Sequence, residues 1–315
     1  MKLATMILGV VLLIGCGKIF KPRKNNPSPL SLTQKFELYR DLSLGHPERD
    51  SYGFFGADGS IGDSILFSCL HQFATGEQID ALASFSDEGF PLRHPEISKQ
   101  YAPTPISRDM IIGFMICAIS SPDGPEIMKK IIDAGRDNNW DLCGDAQEYD
   151  ISAKHRIGRC TMSPGLISTM YRVRTHLGVS CNAACQVAQQ IPTGLNTNVE
   201  GFRRHLSALH ILIRGYTGGI SDGELDILKH HANHEPNNAL YQAVYHKFED
   251  GDQSKATALL LDTTKFPEYT LPTSSNYCTH YLYQRDESSQ HDWLPCADSK
   301  QHSGIDFLFA GRLTL

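Results

Sequence analysis

Apolar residues recur at intervals of three and four along most of this chain, which is the spacing of one buried face of an α-helix. The first clear stretch follows the cap candidates Ser60 and Asp63, and it predicts a helix over about 61–75. A second stretch begins after Ser107, another residue type that caps helices well. The inward positions of these two helices are Ile65, Leu66, Cys69, Leu70, Phe73, Ile111, Phe114, Met115, Ala118 and Ile119.

Proline, glycine and hydroxyl residues mark the limits of further helices. Pro125 and Pro164 each stand where a first-turn proline belongs, because a helix needs no N–H group there. Gly178 is placed to end the helix that begins near Pro164. Ser221 and Glu224 have the spacing of a capping box, in which each side chain binds a backbone N–H of the other residue.

The C-terminal half continues the helical spacing. One apolar stripe runs over 202–216 and is closed by glycines, a second over 240–248 ends at 250–251, and a shorter one covers 256–261. Few stretches alternate with period two, and none is followed by a clear hairpin turn. We therefore predict an all-α fold with about eight to ten helices.

Long segments without helical spacing separate these helices, at 76–106, 136–163 and 262–306. Loops of this length are uncommon in a compact domain unless they carry function or are held by cross-links. From residue 30 to 315 no second linker interrupts the chain, so we expect one helical domain.

The N-terminal segment differs from the rest. Lys2 precedes an uncharged apolar run over 7–14, which is shorter than the roughly 20 residues needed to cross a bilayer. The sequence Leu13-Ile14-Gly15-Cys16 resembles the lipobox of bacterial lipoproteins. This resemblance implies a signal peptide at 1–15, and a lipid anchor on Cys16 that ties the exported protein to a membrane. The alternatives are an ordinary cleaved signal peptide, or a core helix with a chance cysteine.

Residues 16–29 then predict a flexible tether, because they are basic and rich in proline and asparagine. No aspartate follows Cys16 to resemble an inner-membrane retention signal, so we expect the outer membrane. Loss of 1–15 removes one lysine and no acid, which takes the formal net charge from −6 to −7. This acidic balance argues against nucleic acid as a partner.

Cysteine usage is consistent with export. Besides Cys16 the chain has eight cysteines, an even number that predicts disulfides in an oxidising compartment. The pairs 143–160 and 278–296 are our expected bridges, because each brackets one polar stretch. Cys181 and Cys185 are either a bridge near a helix start or part of a metal site.

Charged residues gather just before two of the apolar helices. Asp58, Asp63 and Asp109 lie where helix N-termini present unpaired N–H groups, and Arg108 is the neighbour of Asp109. Arg93 and Arg108 would hold acidic or hydroxyl groups of a substrate. These residues suit a substrate with hydroxyl or carboxylate groups. The alternative is that the aspartates only cap their helices, which is worth about 0.5 to 2 kcal/mol each.

The segments GDSILF at 62–67 and SRDMIIG at 107–113 resemble helix starts of (α/α)-toroid enzymes, many of which cleave polysaccharides. The resemblance implies a central cleft with acids and arginines at helix N-termini. A hydrolase of this type needs two carboxylates, and Asp63 with Asp109 is the expected pair, with Asp58 as the alternate. Candidate aromatic platforms for sugar rings are Tyr52, Phe54, Trp140 and Trp293.

A second polar cluster precedes the last apolar stretch. It holds Arg285 and Trp293 as candidate substrate contacts, and His302 as a candidate base oriented by Asp306. Asp306 equally suits a cap of the last helix. His230 and His234 lie four residues apart, but the HExxH pattern is absent and a solvated helix face is favoured over a metal site.

Two functions from different classes follow. The first is a glycan-processing hydrolase or lyase of the envelope, with a polysaccharide as ligand. The second is a noncatalytic lipoprotein that binds envelope components or a protein partner. The sequence has no glycine-rich phosphate loop with lysine and no GxSxG motif, so we expect no cofactor and no bound metal.

Overall fold

The computed structural model describes residues 29–47, 49–55, 64–96, 106–142, 161–199, 202–249, 251–272 and 303–315. Contacts divide the chain into Met1–Leu30 and Ser31–Leu315, and nearly all described residues belong to the second unit. Within these ranges the structure contains α-helices, one 3₁₀ turn and isolated β-bridges, but no β-strand. The all-α fold class is therefore confirmed.

The described residues form eleven α-helices. Their bounds are α1 Leu32–Leu44, α2 Ser64–Thr75, α3 Arg108–Ile119, α4 Gly124–Asp137, α5 Pro164–His176, α6 Ala183–Ala188, α7 Phe202–Tyr216, α8 Asp222–His234, α9 Ala239–Phe248, α10 Ser254–Leu261 and α11 Ile305–Thr314. The 3₁₀ turn covers Ala81–Ser84.

The local signals worked as expected at several helix ends. Ser221 and Glu224 form the predicted capping box at the start of α8, and the Ser163 hydroxyl caps α5 ahead of Pro164. Gly178 follows the end of α5 with a φ of 77°, a left-handed conformation that favours glycine. Two helices were not predicted, α1 and the short α6.

Three helices, α2, α3 and α11, are buried on almost every side. Nearly all of their side chains are buried, including the polar Ser68, His71 and Gln72 of α2, so other parts of the fold must cover almost every face. The C-terminal helix α11 contacts α1, α2, α9 and α10, which places the end of the chain in the middle of the fold. Helix α4 keeps a polar side for solvent.

Helices α2 and α3 run parallel in very close contact. A Cβ atom on Gly113 would lie 2.7 Å from the Cα atom of Leu66, so only glycine permits this approach. One turn further along both helices, a disulfide joins Cys69 to Cys117. Both helices therefore begin at the same end of the core.

The structure does not describe the cysteines at 143, 160, 278 and 296, so the two expected bridges between them lie outside the described residues. Cys181 and Cys185 are joined in a disulfide, which is one of the two alternatives that the spacing allowed. Within the ranges described above, no helix has the length and apolar character needed to cross a bilayer.

Candidate functional site

Two of the predicted site residues meet at the common end of α2 and α3. Arg93 Nη2 donates a hydrogen bond to Ser107 Oγ at 2.8 Å, and the Ser107 hydroxyl donates to the Asp109 carboxylate. The backbone carbonyl of Arg93 accepts from Ser64 Oγ at 2.7 Å and from the Ile65 N–H. The segment before α3 is thereby tied to the start of α2.

This arrangement fits a structural use of the aspartate. Asp109 lies in the first turn of α3, where the partial positive charge of the helix end favours a carboxylate. Its hydrogen bond to Ser107 holds it against the helix start. Arg108 is the exposed neighbour. Six further predicted residues lie outside the described part of the chain; they are Cys16, Asp58, Asp63, Arg285, Trp293 and His302.

Asp306 is the second residue of α11 and is buried. Burial raises the pKa of its carboxyl group to about 7, against a smaller effect from the backbone N–H groups of Phe307 and of Asp306 itself. Its Oδ1 atom has no hydrogen-bond partner. The helix begins after Gly304, so Asp306 is a first-turn residue and not the N-cap.

A cavity of about 470 Å³ lies among α4, α5 and α6, and Arg93, Asp109 and Asp306 do not line it. Such a volume falls within the range of small-molecule sites, about 300–1,000 Å³. Six of the lining residues carry its chemistry: Arg136, Trp140, Tyr171, Arg174, Ser180 and Asn182. Trp140 was among the predicted aromatic platforms.

Trp140 is held in an unusual backbone conformation. Asn139 and Trp140 have φ values of 52° and 63°, in the left-handed region that costs roughly 1–2 kcal/mol for each residue with a side chain. The Trp140 N–H donates to the Gly135 carbonyl, and the Trp140 carbonyl accepts from the Met162 N–H at 2.9 Å. The turn after α4 is therefore fixed on both sides of the tryptophan.

Gly135 makes room for the indole ring. A Cβ atom at this position would lie 2.5 Å from Cε3 of Trp140. Tyr171 also lines the cavity, and its ring contacts the indole edge to face, with centroids 5.9 Å apart and an interplanar angle of 72°. The two rings form a rigid aromatic corner.

The disulfide between Cys181 and Cys185 forms another part of the wall, since Cys185 lines the cavity. Asn182 Oδ1 accepts a hydrogen bond from the Cys185 N–H at 3.0 Å and caps α6. The Gln189 side-chain amide donates to the Thr175 hydroxyl at 2.6 Å, which links this region to α5.

Among the described residues, the charged side chains that line this cavity are both arginines, Arg136 and Arg174. Arg136 Nη2 lies 3.0 Å from Asp133 Oδ1 in a solvent-exposed pair. The Nε atom of Arg174 is shielded from solvent and makes no hydrogen bond. The described lining of the cavity thus supplies positive charge, in a chain whose formal net charge is −6.

Three buried histidines each pair with a hydroxyl group elsewhere in the fold. His71 binds Ser43 at 2.8 Å and His210 binds Thr169 at 2.6 Å. Burial lowers the pKa of both imidazoles to about 3, with a further lowering by nearby arginines, so these rings are neutral. His231 behaves in the same way against Ser207. These pairs satisfy core polar groups.

The histidine face of α8 at His230 and His234 is exposed to solvent. His230 and His234 stack with ring centroids 5.9 Å apart. Among the described residues, no group of three or more His, Cys, Asp or Glu side chains is arranged to hold a metal ion.

Sequence reasoning missed Arg136, Tyr171 and Arg174 as site residues. The one available signal was the pair of asparagines at 138–139 before a tryptophan, because asparagine tolerates the left-handed conformation of a tight turn. Arg174 lies near the end of a helix, where a basic residue has an ordinary explanation in the helix dipole.

Comparison of this chain with family models, with curated proteins and with solved structures gave no match. The described part of the chain defines it as an all-α protein, cross-linked by at least two disulfides, with a cationic and aromatic cavity.

Proposed function

We propose that this chain is an exported, lipid-anchored envelope protein that binds an envelope component without transforming it. The location is supported by the sequence of the first sixteen residues, with Cys16 as the lipidated residue. Disulfides at Cys69–Cys117 and Cys181–Cys185 are compatible with an oxidising compartment such as the periplasm.

The cavity among α4, α5 and α6 is the single observation that supports binding. Its walls supply two guanidinium groups, two aromatic rings and the polar side chains of Ser180 and Asn182. These groups recognise and orient a ligand. General acid–base cleavage of a glycan requires a pair of carboxylates on either side of the bond. The described member of the predicted pair, Asp109, is hydrogen-bonded to Ser107 at the start of α3.

Metabolic labelling with radioactive palmitate tests the location. The full chain, expressed in a bacterial host, should take up label and sediment with the membranes. A Cys16→Ala variant should lose the label, whereas the neighbouring Gly17→Ala variant should keep it. Equal labelling of the two variants would overturn the lipid anchor on Cys16.

Whether the protein cleaves its ligand is tested with the detergent-solubilised full chain and a panel of envelope polysaccharides. We expect the protein to co-sediment with insoluble polysaccharides of the panel, and the polysaccharides to release no reducing ends or unsaturated products over hours. Steady release of either product would overturn the noncatalytic function and support the hydrolase or lyase alternative.

A further inference from the structure

We propose that the cavity lined by Trp140, Tyr171, Arg136 and Arg174 binds an acidic saccharide, a sugar ring that bears a carboxylate. This inference rests on the proposed binding function and names its ligand class. Three features of the cavity carry it: the positive charge, the aromatic corner and the polar groups beside them.

The charge selects an anion. The two arginines belong to different helices, Arg136 to α4 and Arg174 to α5, and both line the same cavity. A guanidinium group presents five N–H donors in a planar fork that matches a carboxylate. Charge-assisted hydrogen bonds of this kind are about twice as strong as neutral ones.

Neither arginine is fully used by the protein. The bond between Arg136 and Asp133 involves one nitrogen and a half-exposed side chain, and such surface pairs contribute about 0–1 kcal/mol. The Nε–H of Arg174 is shielded from water and makes no hydrogen bond. Arg174 therefore keeps one donor that no protein acceptor satisfies, which is costly to leave unpaired.

The aromatic corner selects a ring. Sugars present apolar C–H faces, which pack well on indole and phenol rings. Trp140 is rigid because its backbone is held by Gly135 and Met162 in a left-handed conformation. Strained backbone of this kind clusters at ligand sites, where it fixes a side chain in advance of binding.

The polar residues complete the match. Ser180 and Asn182 line the same cavity and can bind ring hydroxyls through a hydroxyl and an amide group. The Oδ1 atom of Asn182 accepts from the Cys185 N–H, which orients the side-chain NH₂ group as a donor. A simple inorganic anion would use the arginines alone and would leave the aromatic corner empty.

Fluorescence titration of Trp140 tests this proposal directly. The chain contains two tryptophans, so Trp293→Phe leaves Trp140 as the only indole reporter. Glucuronic acid should change the emission of the detergent-solubilised full chain in a saturable way, and glucose should bind at least tenfold more weakly. Inorganic phosphate should compete without reproducing the change. Calorimetry on the unsubstituted protein repeats the comparison, in case Trp293→Phe alters folding.

Two variants connect the binding to the cavity. Arg174→Met should weaken glucuronic acid binding at least tenfold and change glucose binding little, whereas Arg203→Met, at an exposed arginine on α7, should leave both unchanged. Gly135→Ala should weaken both sugars, because the added methyl group displaces the indole. Circular dichroism checks that each variant is folded, and the neutral, polar Arg174→Gln replaces Arg174→Met if the latter unfolds.

Equal affinity for glucose and glucuronic acid, or an affinity for glucuronic acid that Arg174→Met leaves unchanged, would overturn the acidic ligand class. Neither result would affect the noncatalytic binding function, which fails separately if the polysaccharide panel is cleaved. Heat of binding that persists undiminished in Gly135→Ala would overturn the cavity as the site.

Discussion

Arg204 and Glu235 form an ion pair shielded from solvent, with Nη1 and Oε1 3.0 Å apart and side chains that are 2% and 4% exposed. Arg204 lies near the start of α7 and Glu235 just after the end of α8. A second buried pair, Arg214 with Glu224 at 2.6 Å, joins the opposite ends of the same helices. The antiparallel hairpin is therefore clamped at both ends.

Loss of one partner from the first pair should destabilise the fold strongly. We expect Glu235→Ala to lower the free energy of unfolding by about 3–5 kcal/mol, because a buried guanidinium group loses its counter-charge. The double variant Arg204→Met, Glu235→Met should recover much of this loss. Urea unfolding measures both, and Glu37→Ala, which breaks an exposed pair with Arg40, should change stability by less than about 1 kcal/mol. Equal losses in the single and double variants would contradict this account.

The disulfide between Cys69 and Cys117 should contribute more stability than the one between Cys181 and Cys185. It closes a loop over a sequence separation of 48 residues, which corresponds to about 4 kcal/mol from restriction of the unfolded chain. The second bridge spans a separation of only 4. Urea unfolding of two variants, each with both cysteines of one bridge replaced by alanine, compares the contributions of the bridges. A larger loss of unfolding free energy for the short bridge would contradict the loop argument.

The buried histidines should make the fold sensitive to acid. Burial first, and nearby arginines second, lower the folded pKa of His71, His210 and His231 to about 3. Since the unfolded pKa is about 6.5, only the unfolded chain takes up these protons between the two values. Each histidine therefore contributes stability above about pH 6.5 that is lost towards pH 3, at roughly 1.4 kcal/mol per pH unit.

His210→Asn tests the size of this effect. Its unfolding free energy should fall less steeply with acid than that of the unsubstituted chain, when both are measured by urea titration at a series of pH values. His176→Asn, at an exposed position on α5, should leave the slope unchanged. The same slope in all three proteins would contradict the role of His210.

Asp306 should make folding stability change with pH in the opposite direction, over a similar pH range. Its folded pKa is raised to about 7 by burial, whereas the unfolded value is about 3.9, so the folded state holds a proton that the unfolded state releases. The stability contributed by the protonated carboxyl group is present below about pH 4 and is lost as the pH rises to about 7.

The difference in unfolding free energy between the unsubstituted chain and Asp306→Asn isolates this contribution. We expect the unsubstituted chain to lose stability relative to Asp306→Asn as the pH rises from 4 to 7, and the difference to become constant above that. Asp87→Asn, at an exposed position, should give a flat difference. A flat difference for Asp306→Asn would rule out proton release from this buried group.

Local sequence signals were sufficient for most helices because capping and the 3.6-residue period act over one or two turns. Helix α1 is the informative exception. It has a capping box at Ser31 and Gln34, but its buried face includes Lys35. The ammonium group of that lysine donates to the Leu260 carbonyl at 2.8 Å and lies 5.4 Å from the Phe307 ring centre. These partners are distant in sequence, so no local pattern revealed them.

In the candidate sites too, the sequence indicated single residues and the structure supplied their contacts. The sequence indicated Arg93, Asp109 and Trp140 as polar or aromatic candidates by residue type and position. It did not show that Ser107 joins the first two, nor that Tyr171 meets the third. The choice between capping and catalysis depends on what surrounds a carboxylate, and segments far apart in sequence supply those surroundings.

By itself, the sequence determined the helical class, the main helix limits and the resemblance to a lipoprotein signal, since each depends on residues within a short window. Only the tertiary structure decided that Cys69 pairs with Cys117 and that Arg136 and Arg174 share one cavity. It also decided that Gly135 makes room for the indole of Trp140. These relationships join elements that meet only when burial of apolar surface packs the helices together, and that packing depends on the whole domain.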